Sequence, residues 1–245
     1  MPLRTSTTIS TSRNSSASPV STSADLAERV ENVLGRVADA CRDAQRRPDD
    51  VTVIAVTKFH SAQLIRELHA LGIRHVGENR HQDAAPKAAE LADLDVTWHF
   101  VGQLQSNKAR AVLGYSRIIH SVDRPSLVRA LAKTDTPCEV FLEVNLTDDP
   151  GRGGVEPSAL DELAESVLAE PRIRLAGVMG VAPLDEAPRS AFARLRLLSE
   201  RVQRLAPDAT AISAGMSGDF PDAIAEGATH LRIGTAITGK RPTAP

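Results

Sequence analysis

Val51-Thr52-Val53-Ile54-Ala55-Val56-Thr57-Lys58 is the stretch on which the fold turns. It follows the turn-forming Arg47-Pro48-Asp49-Asp50 and ends on a lysine. A continuous apolar run of this length reads as a parallel strand buried on both faces. The residues that close it, Thr57-Lys58-Phe59-His60, contain no glycine. A doubly wound open sheet usually shows a Gly-rich turn at that point, so that architecture is the alternative here and not the first choice.

Working outward, the same alternation continues to the end of the chain. Strands are expected at 51–57, 73–76, 96–101, 117–122, 138–146, 173–178, 210–213 and 229–233. Helices are expected at 62–71, 82–91, 107–113, 125–133, 158–170, 187–205 and 220–226. Upstream, Leu26, Val30, Val33, Leu34, Val37 and Cys41 recur at helical spacing, and Asp25 is placed to cap that helix. Eight strands separated by helices predict a closed (β/α)8 barrel of the TIM type. One domain over residues 24–245 is expected, preceded by a disordered Ser/Thr-rich tail at 1–23 that holds no acid and too little apolar surface to offset its ordering entropy.

Composition narrows the function. The chain has 245 residues, 42% hydrophobic and 24% charged, with a net charge of −2 and 3% aromatics. This is neither the basic footprint of a nucleic-acid binder nor the aromatic platform of a single-strand binder. No apolar run is long enough for a membrane span, and no secretory core precedes the helix. Cys41 and Cys138 lie far apart and without metal spacing, which fits two buried thiols in a reduced, cytoplasmic protein. No metal site is expected, and most of the histidines read as structural or surface residues.

In a parallel barrel the chemistry gathers at the C-terminal strand ends. Lys58 stands there directly after the apolar run, at the rim of a low-dielectric core where desolvation favours the neutral, nucleophilic amine. Lysines are scarce in this chain: Lys58, Lys87, Lys108, Lys133 and Lys240 are all there are among 29 basic residues. Ser213, Gly215, Ser217 and Gly218 after the seventh strand, with Gly234 and Thr235 after the eighth, offer hydroxyls and open backbone N–H groups to an anion. Arg232 would present a fixed cation to a ligand. A Schiff-base lysine, a phosphate cup and a ring-facing group are what pyridoxal 5'-phosphate requires.

These residues carry a resemblance. Ala55-Val56-Thr57-Lys58, Gly77-Glu78-Asn79, the run from His99 to Lys108, Gly215-Met216-Ser217-Gly218-Asp219 and Arg232-Ile233-Gly234-Thr235-Ala236-Ile237 resemble, in order, the pyridoxal phosphate homeostasis protein family. That resemblance implies an alanine-racemase-like barrel without the racemases' C-terminal β-domain. It implies pyridoxal 5'-phosphate as a Schiff base on Lys58, with Arg232 facing the pyridine nitrogen. Ser213, Ser217, Gly234 and Thr235 would hold the phosphate. Asn79 and His99 would line the ring, Met179 would pack on its face, and Asn107 and Lys108 would be rim or partner contacts. Three positions depart from the family pattern: Arg80 for tyrosine, Ala214 for methionine and Thr238 for phenylalanine.

Two classes of function follow. One is a non-catalytic carrier or buffer of the cofactor, a monomer whose partners would be pyridoxal phosphate and the apoenzymes that receive it. The other is a pyridoxal-phosphate-dependent racemase. Racemisation needs proton donors on both faces of the substrate carbon. The single tyrosine, Tyr115, lies before the fourth strand, away from the C-terminal rim, so the carrier is preferred. A Schiff-base lyase of phosphorylated sugars, using Glu78 or His99 as acid/base, is a third reading.

Overall fold

The computed structural model describes residues 23–149 and 151–240. The expected tail therefore lies outside the described residues, apart from Ser23. Eight strands form a closed, all-parallel barrel in sequence order. They are β1 (Thr52–Val56), β2 (His75–Glu78), β3 (Thr97–Phe100), β4 (Ile118–Val122), β5 (Cys138–Glu143), β6 (Ile173–Met179), β7 (Ala211–Ser213) and β8 (His230–Ile233). The helices are α1 (Ser23–Asp43), α2 (Ala62–Ala70), α3 (His81–Glu90), α4 (Ala109–Val112), α5 (Pro125–Ala132), α6 (Leu160–Leu168), α7 (Pro188–Gln203), α8 (Phe220–Ala225) and α9 (Thr235–Thr238). The closed sheet excludes the doubly wound alternative.

The barrel closes where β1 pairs with β8, Ile54 opposite Arg232 and Ala55 opposite Ile233. Most of the apolar core lies between the strands and the surrounding helices. α1 buries Leu26, Val30, Val33, Val37 and Cys41, all on one helical stripe. It packs against α8 and α9. Arg29 Nε donates to Ile237 O at 2.8 Å, and Arg46 Nη1 donates to the carbonyls of Ile224 and Ala228, tying α1 to the β8 side of the barrel. A second cluster, Ala62, Ile65, Val76, Leu91 and Trp98, fills the space under α2 and α3. Cys41 and Cys138 are buried and unpaired.

Several boundaries differ from the sequence reading, each for a stated reason. α1 begins at Ser23, so Asp25 lies in its first turn and not at the cap. β2 is shifted to His75–Glu78 because pairing with β1 and β3 decides its place: Val56 faces Gly77, and Gly77 faces His99. Ile73 stays buried but outside the strand. β5 stops at Glu143, since Val144 bridges Val155 of the following loop. The segment expected as one helix at 107–113 splits into a 3-10 turn, Ser106–Lys108, and α4. α9 was not expected, because Thr-Ala-Ile-Thr carries no helical apolar stripe.

Gly177 has no room for a side chain. Its φ is +156°, and a Cβ there would lie 1.8 Å from the carbonyl oxygen of Ala211 on β7. Gly177→Ala is expected to cost about 3 kcal/mol or more of stability, through this backbone clash. Urea denaturation would measure it, and a cost under about 1 kcal/mol would show that β6 and β7 can part without penalty.

Candidate functional site

Side chains alternate in and out along each strand, so Lys58 continues the inward series of Ile54 and Val56, while Thr57 faces the helices. Lys58 lies two residues beyond Val56, and Asn79 two beyond its partner Gly77, which brings the two to the same level at the C-terminal mouth. The Lys58 side chain is exposed there. The desolvated environment expected for it is thus not what the fold supplies. Buried instead is Lys87 of α3, behind the strand end. Its Nζ donates to Glu78 Oε1 at 2.7 Å and to Thr57 O at 3.1 Å, and the Thr57 hydroxyl donates to the same carboxylate oxygen at 2.6 Å. This clamp fixes the end of β1 from outside.

Phe59, next to Lys58, has φ +70°. The Arg80 guanidinium lies 5.7 Å from the centre of its ring and the Lys58 ammonium 6.0 Å. Arg80, which departs from the resembled pattern, therefore covers the Phe59 ring at the edge of the mouth.

Arg232 is buried, 6% exposed, in the barrel interior. Its Nη1 donates to Ser213 Oγ at 2.7 Å and its Nη2 to Gly180 O at 3.0 Å. Among the described residues no carboxylate pairs with it, and burial lowers its pKa to about 10 against the opposing pull of Glu143 and Asp219. A buried guanidinium without a counter-charge is costly and calls for an acceptor. Two buried atoms at the mouth also lack partners: Asn79 Oδ1 and Glu143 Oε2. Burial, and then the neighbouring Asp123, raise the Glu143 carboxyl to about 7.

The loops after β7 and β8 meet. Ser217 Oγ accepts from the Ala236 backbone N–H at 3.1 Å and from the Thr235 hydroxyl at 3.4 Å. A serine oxygen thus occupies the point where an N–H and an O–H from the turn at Gly234 converge. Gly218 has open space where a Cβ would stand. Gly215 serves packing instead: its φ is +90°, and a Cβ would meet Ala223 at 2.8 Å.

Two expected ligand contacts are placed below the mouth. Ser213 is fully buried, its oxygen held by Arg232 and by His120 Nδ1 at 2.8 Å. His99 is 1% exposed and uses both ring nitrogens, toward His75 at 3.0 Å and His120 at 2.9 Å. Met179 is buried with Phe141 and Ala176 inside the barrel. Lys108 lines a separate cavity of about 490 Å³ with Asn79, Arg80 and Gln103. A larger cavity of about 850 Å³, beside β5 and α7, includes neither Lys58 nor Arg232.

Sequence reasoning places Glu143 at the end of the fifth strand without a role, and misses the joined histidines. Both were legible as inward positions: Glu143 ends β5 two residues after the inward Phe141, and His75, His99, His120 and His230 share the interior parity of their strands. In a barrel, adjacent strands bring histidines that are far apart in sequence within bonding distance. Burial keeps His99 and His120 well below the usual imidazole range, and burial first, then His75, lowers His230 to about 4. Among the described residues no group has the arrangement to hold a metal ion. No helix among them is long and apolar enough to cross a membrane.

A lysine at the mouth of a parallel barrel, an uncompensated interior arginine and a cup between the last two loops define a class of phosphate-cofactor barrel. Residues 34–242 match the family model of the alanine racemase N-terminal domain. The alanine racemase of Corynebacterium glutamicum has the same fold, with a TM-score of 0.69 at 17% identity over 89% of this chain and 61% of that one. A pyridoxal phosphate homeostasis protein of Pseudomonas aeruginosa is 41% identical over 88% of this chain and 96% of its own. PipY of Synechococcus elongatus, solved with PLP bound, is 37% identical, with a TM-score of 0.74 over 87% of this chain and all of that one. The chain belongs to the pyridoxal phosphate homeostasis protein family.

Glu143 gives this site a measurable signature. A carboxyl raised in the fold stabilises fully below its unfolded value near 4.5, and that contribution is lost as pH rises through about 7. Glu143→Gln removes the loss. The variant is expected to gain melting temperature relative to the parent at pH 8 and to gain less, or nothing, at pH 5. An equal difference at both pH values would show that Glu143 is charged in the fold throughout.

Proposed function

We propose that the protein binds pyridoxal 5'-phosphate covalently on Lys58 and holds it as a carrier or buffer, without catalysis of its own. The observation that carries this reading is the presence together of Lys58, an exposed amine at the C-terminal mouth, and Arg232, a buried guanidinium bonded only to the neutral Ser213 and Gly180. The cofactor supplies an aldehyde that condenses with a lysine amine, a phosphate, and a ring nitrogen that accepts a hydrogen bond. The residues fit that set. Lys58 Nζ is open to the aldehyde. Ser217, Thr235 and the Ala236 N–H form the phosphate cup, where the ligand's oxygens would replace the internal bonds to Ser217. Arg232, a donor with no proton to take, keeps a facing ring nitrogen unprotonated and so weakens the ring as an electron sink. Asn79, level with Lys58 on the adjacent strand end, has its Oδ1 unpartnered.

The absence of catalysis follows from proton supply. Tyr115, the one tyrosine, packs outside the barrel wall against His81 and Trp98, and burial followed by the charge of Glu78 raises its pKa further. It cannot reach the face of the ligand opposite Lys58. Glu143 is four strands round the barrel from Lys58. The recipients of such a carrier would be apoenzymes that need the same cofactor. Two buried, unpaired thiols favour a reducing compartment, the cytoplasm.

The test is a visible spectrum of the purified protein with added pyridoxal phosphate, followed by borohydride reduction and peptide mapping. A pyridoxyl group on Lys58, lost in Lys58→Ala, is the expected result. No band and no adduct would sink the reading. Exchange between D- and L-amino acids by the loaded protein, abolished in Lys58→Ala, would replace the carrier with a racemase.

A further inference from the structure

The barrel interior holds a continuous line of polar side chains of which the cofactor reading uses only the last, Arg232. From the floor upward it runs His75 Nδ1 to His99 Nε2 at 3.0 Å, His99 Nδ1 to His120 Nε2 at 2.9 Å, His120 Nδ1 to Ser213 Oγ at 2.8 Å, and Ser213 Oγ to Arg232 Nη1 at 2.7 Å. Five residues from five strands thus join in one column. His99, His120 and Ser213 are at most 1% exposed, and His75 is half-buried at the floor.

The direction of this column follows from counting donors. A guanidinium only donates, so Ser213 Oγ accepts from Arg232. The serine hydroxyl has one proton, and its other polar neighbour is His120 Nδ1. Were His120 to donate, that proton would be buried without an acceptor, at the cost of an unmade hydrogen bond. Ser213 therefore donates to His120. His120 then carries its own proton on Nε2 and donates to His99, and His99 donates from Nε2 to His75. Each member is satisfied only in this order. The imidazoles must be neutral for it, since a doubly protonated ring has no acceptor to offer. The low pKa values of the buried rings agree. The groups facing the column are His230 and Arg232 from β8, Arg174 of β6 beyond His230, and, toward Arg232, Glu143 of β5 and Asp219.

We propose that Ser213, His120 and His99 are positioning residues for Arg232, forming a one-way hydrogen-bonded column that pins its guanidinium from below and commits the Ser213 proton away from the ligand. Ser213 is then no phosphate donor, in contrast to the role its sequence context implies. It is the post that, with Gly180 O on the second nitrogen, fixes where Arg232 can aim. Phe141 lies flat on His120, ring centres 4.3 Å apart, and keeps that imidazole from turning. The proposal rests on the cofactor-binding reading for what Arg232 aims at, but the column itself can be tested without any ligand.

The first arm is nitrogen-15 NMR of the histidine rings in the unloaded protein at pH 7.5, assigned with single histidine variants. His99 and His120 are expected as neutral rings protonated on Nε2. Protonation of His120 on Nδ1 would reverse the column and overturn the proposal. The second arm uses pyridoxal phosphate and phosphorus-31 NMR. Ser213→Ala is expected to leave the resonance of the bound phosphate in place, whereas Ser217→Ala moves it. A shift in Ser213→Ala as large as that in Ser217→Ala would make Ser213 a phosphate contact and overturn the proposal. In the third arm, His120→Phe keeps the stack on Phe141 but offers Ser213 no acceptor, and should weaken cofactor binding ~10-fold. His120→Asn, whose carbonyl can accept from Ser213, should restore most of that loss. Unchanged affinity in a folded His120→Phe variant would count against the column. No bound phosphate signal in the unaltered protein would defeat the cofactor reading alone, and the ring-proton measurement would still decide the column.

Discussion

Parallel pairing of β1 with β8 is the constraint from which the rest follows. Paired residues of the two strands are 178 positions apart in sequence, and Ile54 meets Arg232 only when every intervening strand has added in turn. That closure removes both sheet edges. It also sets the register in which Lys58 rises at the mouth while the Arg232 backbone lies level with Ile54. The guanidinium then reaches up to Gly180 at the end of β6. One pairing thus decides the vertical distance between the amine and the cation, the two groups the site is built around.

Closure also forces a choice about the interior. Barrels of this kind usually fill the inside with branched apolar residues. Here Ile54, Val56, Phe141, Ala176 and Met179 share the interior with a set of imidazole, hydroxyl and guanidinium groups. Burying these groups costs free energy unless each finds a partner. The column supplies those partners in series, but the positive charge at its upper end stays unmatched. The cost falls on Arg232, whose two hydrogen-bonded partners, Ser213 Oγ and Gly180 O, are both neutral. Acid works against the same arrangement. The histidines are depressed in the fold, so their contribution is complete above about pH 6.5 and is lost as pH falls toward the value near 4 of His230.

Much of this was legible in the sequence, and the limits have physical causes. The eight strands announced themselves through apolar runs, because both faces of a barrel strand exclude water. Lys58, Arg232 and the Ser217 and Gly234 loops could be placed because strand ends are visible as changes in composition. What could not be read was depth. Ser213 and Ser217 looked alike as hydroxyls after the seventh strand, yet one is fully buried in the column and the other lies in the cup. A shift of a few residues along a strand moves a side chain by a whole layer, and sequence patterns do not mark layers. Nor did they mark α9, which is held by the turn at Gly234 and by packing on α1.

The two lysines make the same point from the other side. A lysine that closes the run at 51–57 looks desolvated if the run is treated as one apolar mass. A strand is not one mass, since its residues alternate between the inside of the barrel and the helical layer. Thr57 turns outward and meets the buried Glu78 carboxylate, and with it Lys87, only 11% exposed. Lys58 turns inward and upward and emerges at the open mouth. The buried ion pair therefore belongs to the residue that holds the strand end, while the exposed amine belongs to the one proposed to meet the cofactor. Phe59 follows in a left-handed conformation that costs a residue other than glycine about 1 kcal/mol or more. Arg80 covers its ring, and the clamp holds its carbonyl neighbour at Thr57. Rigidity is thus built into the outer layer, and the exposed amine is left on the inner one, which is the division of labour the proposed covalent carrier would need.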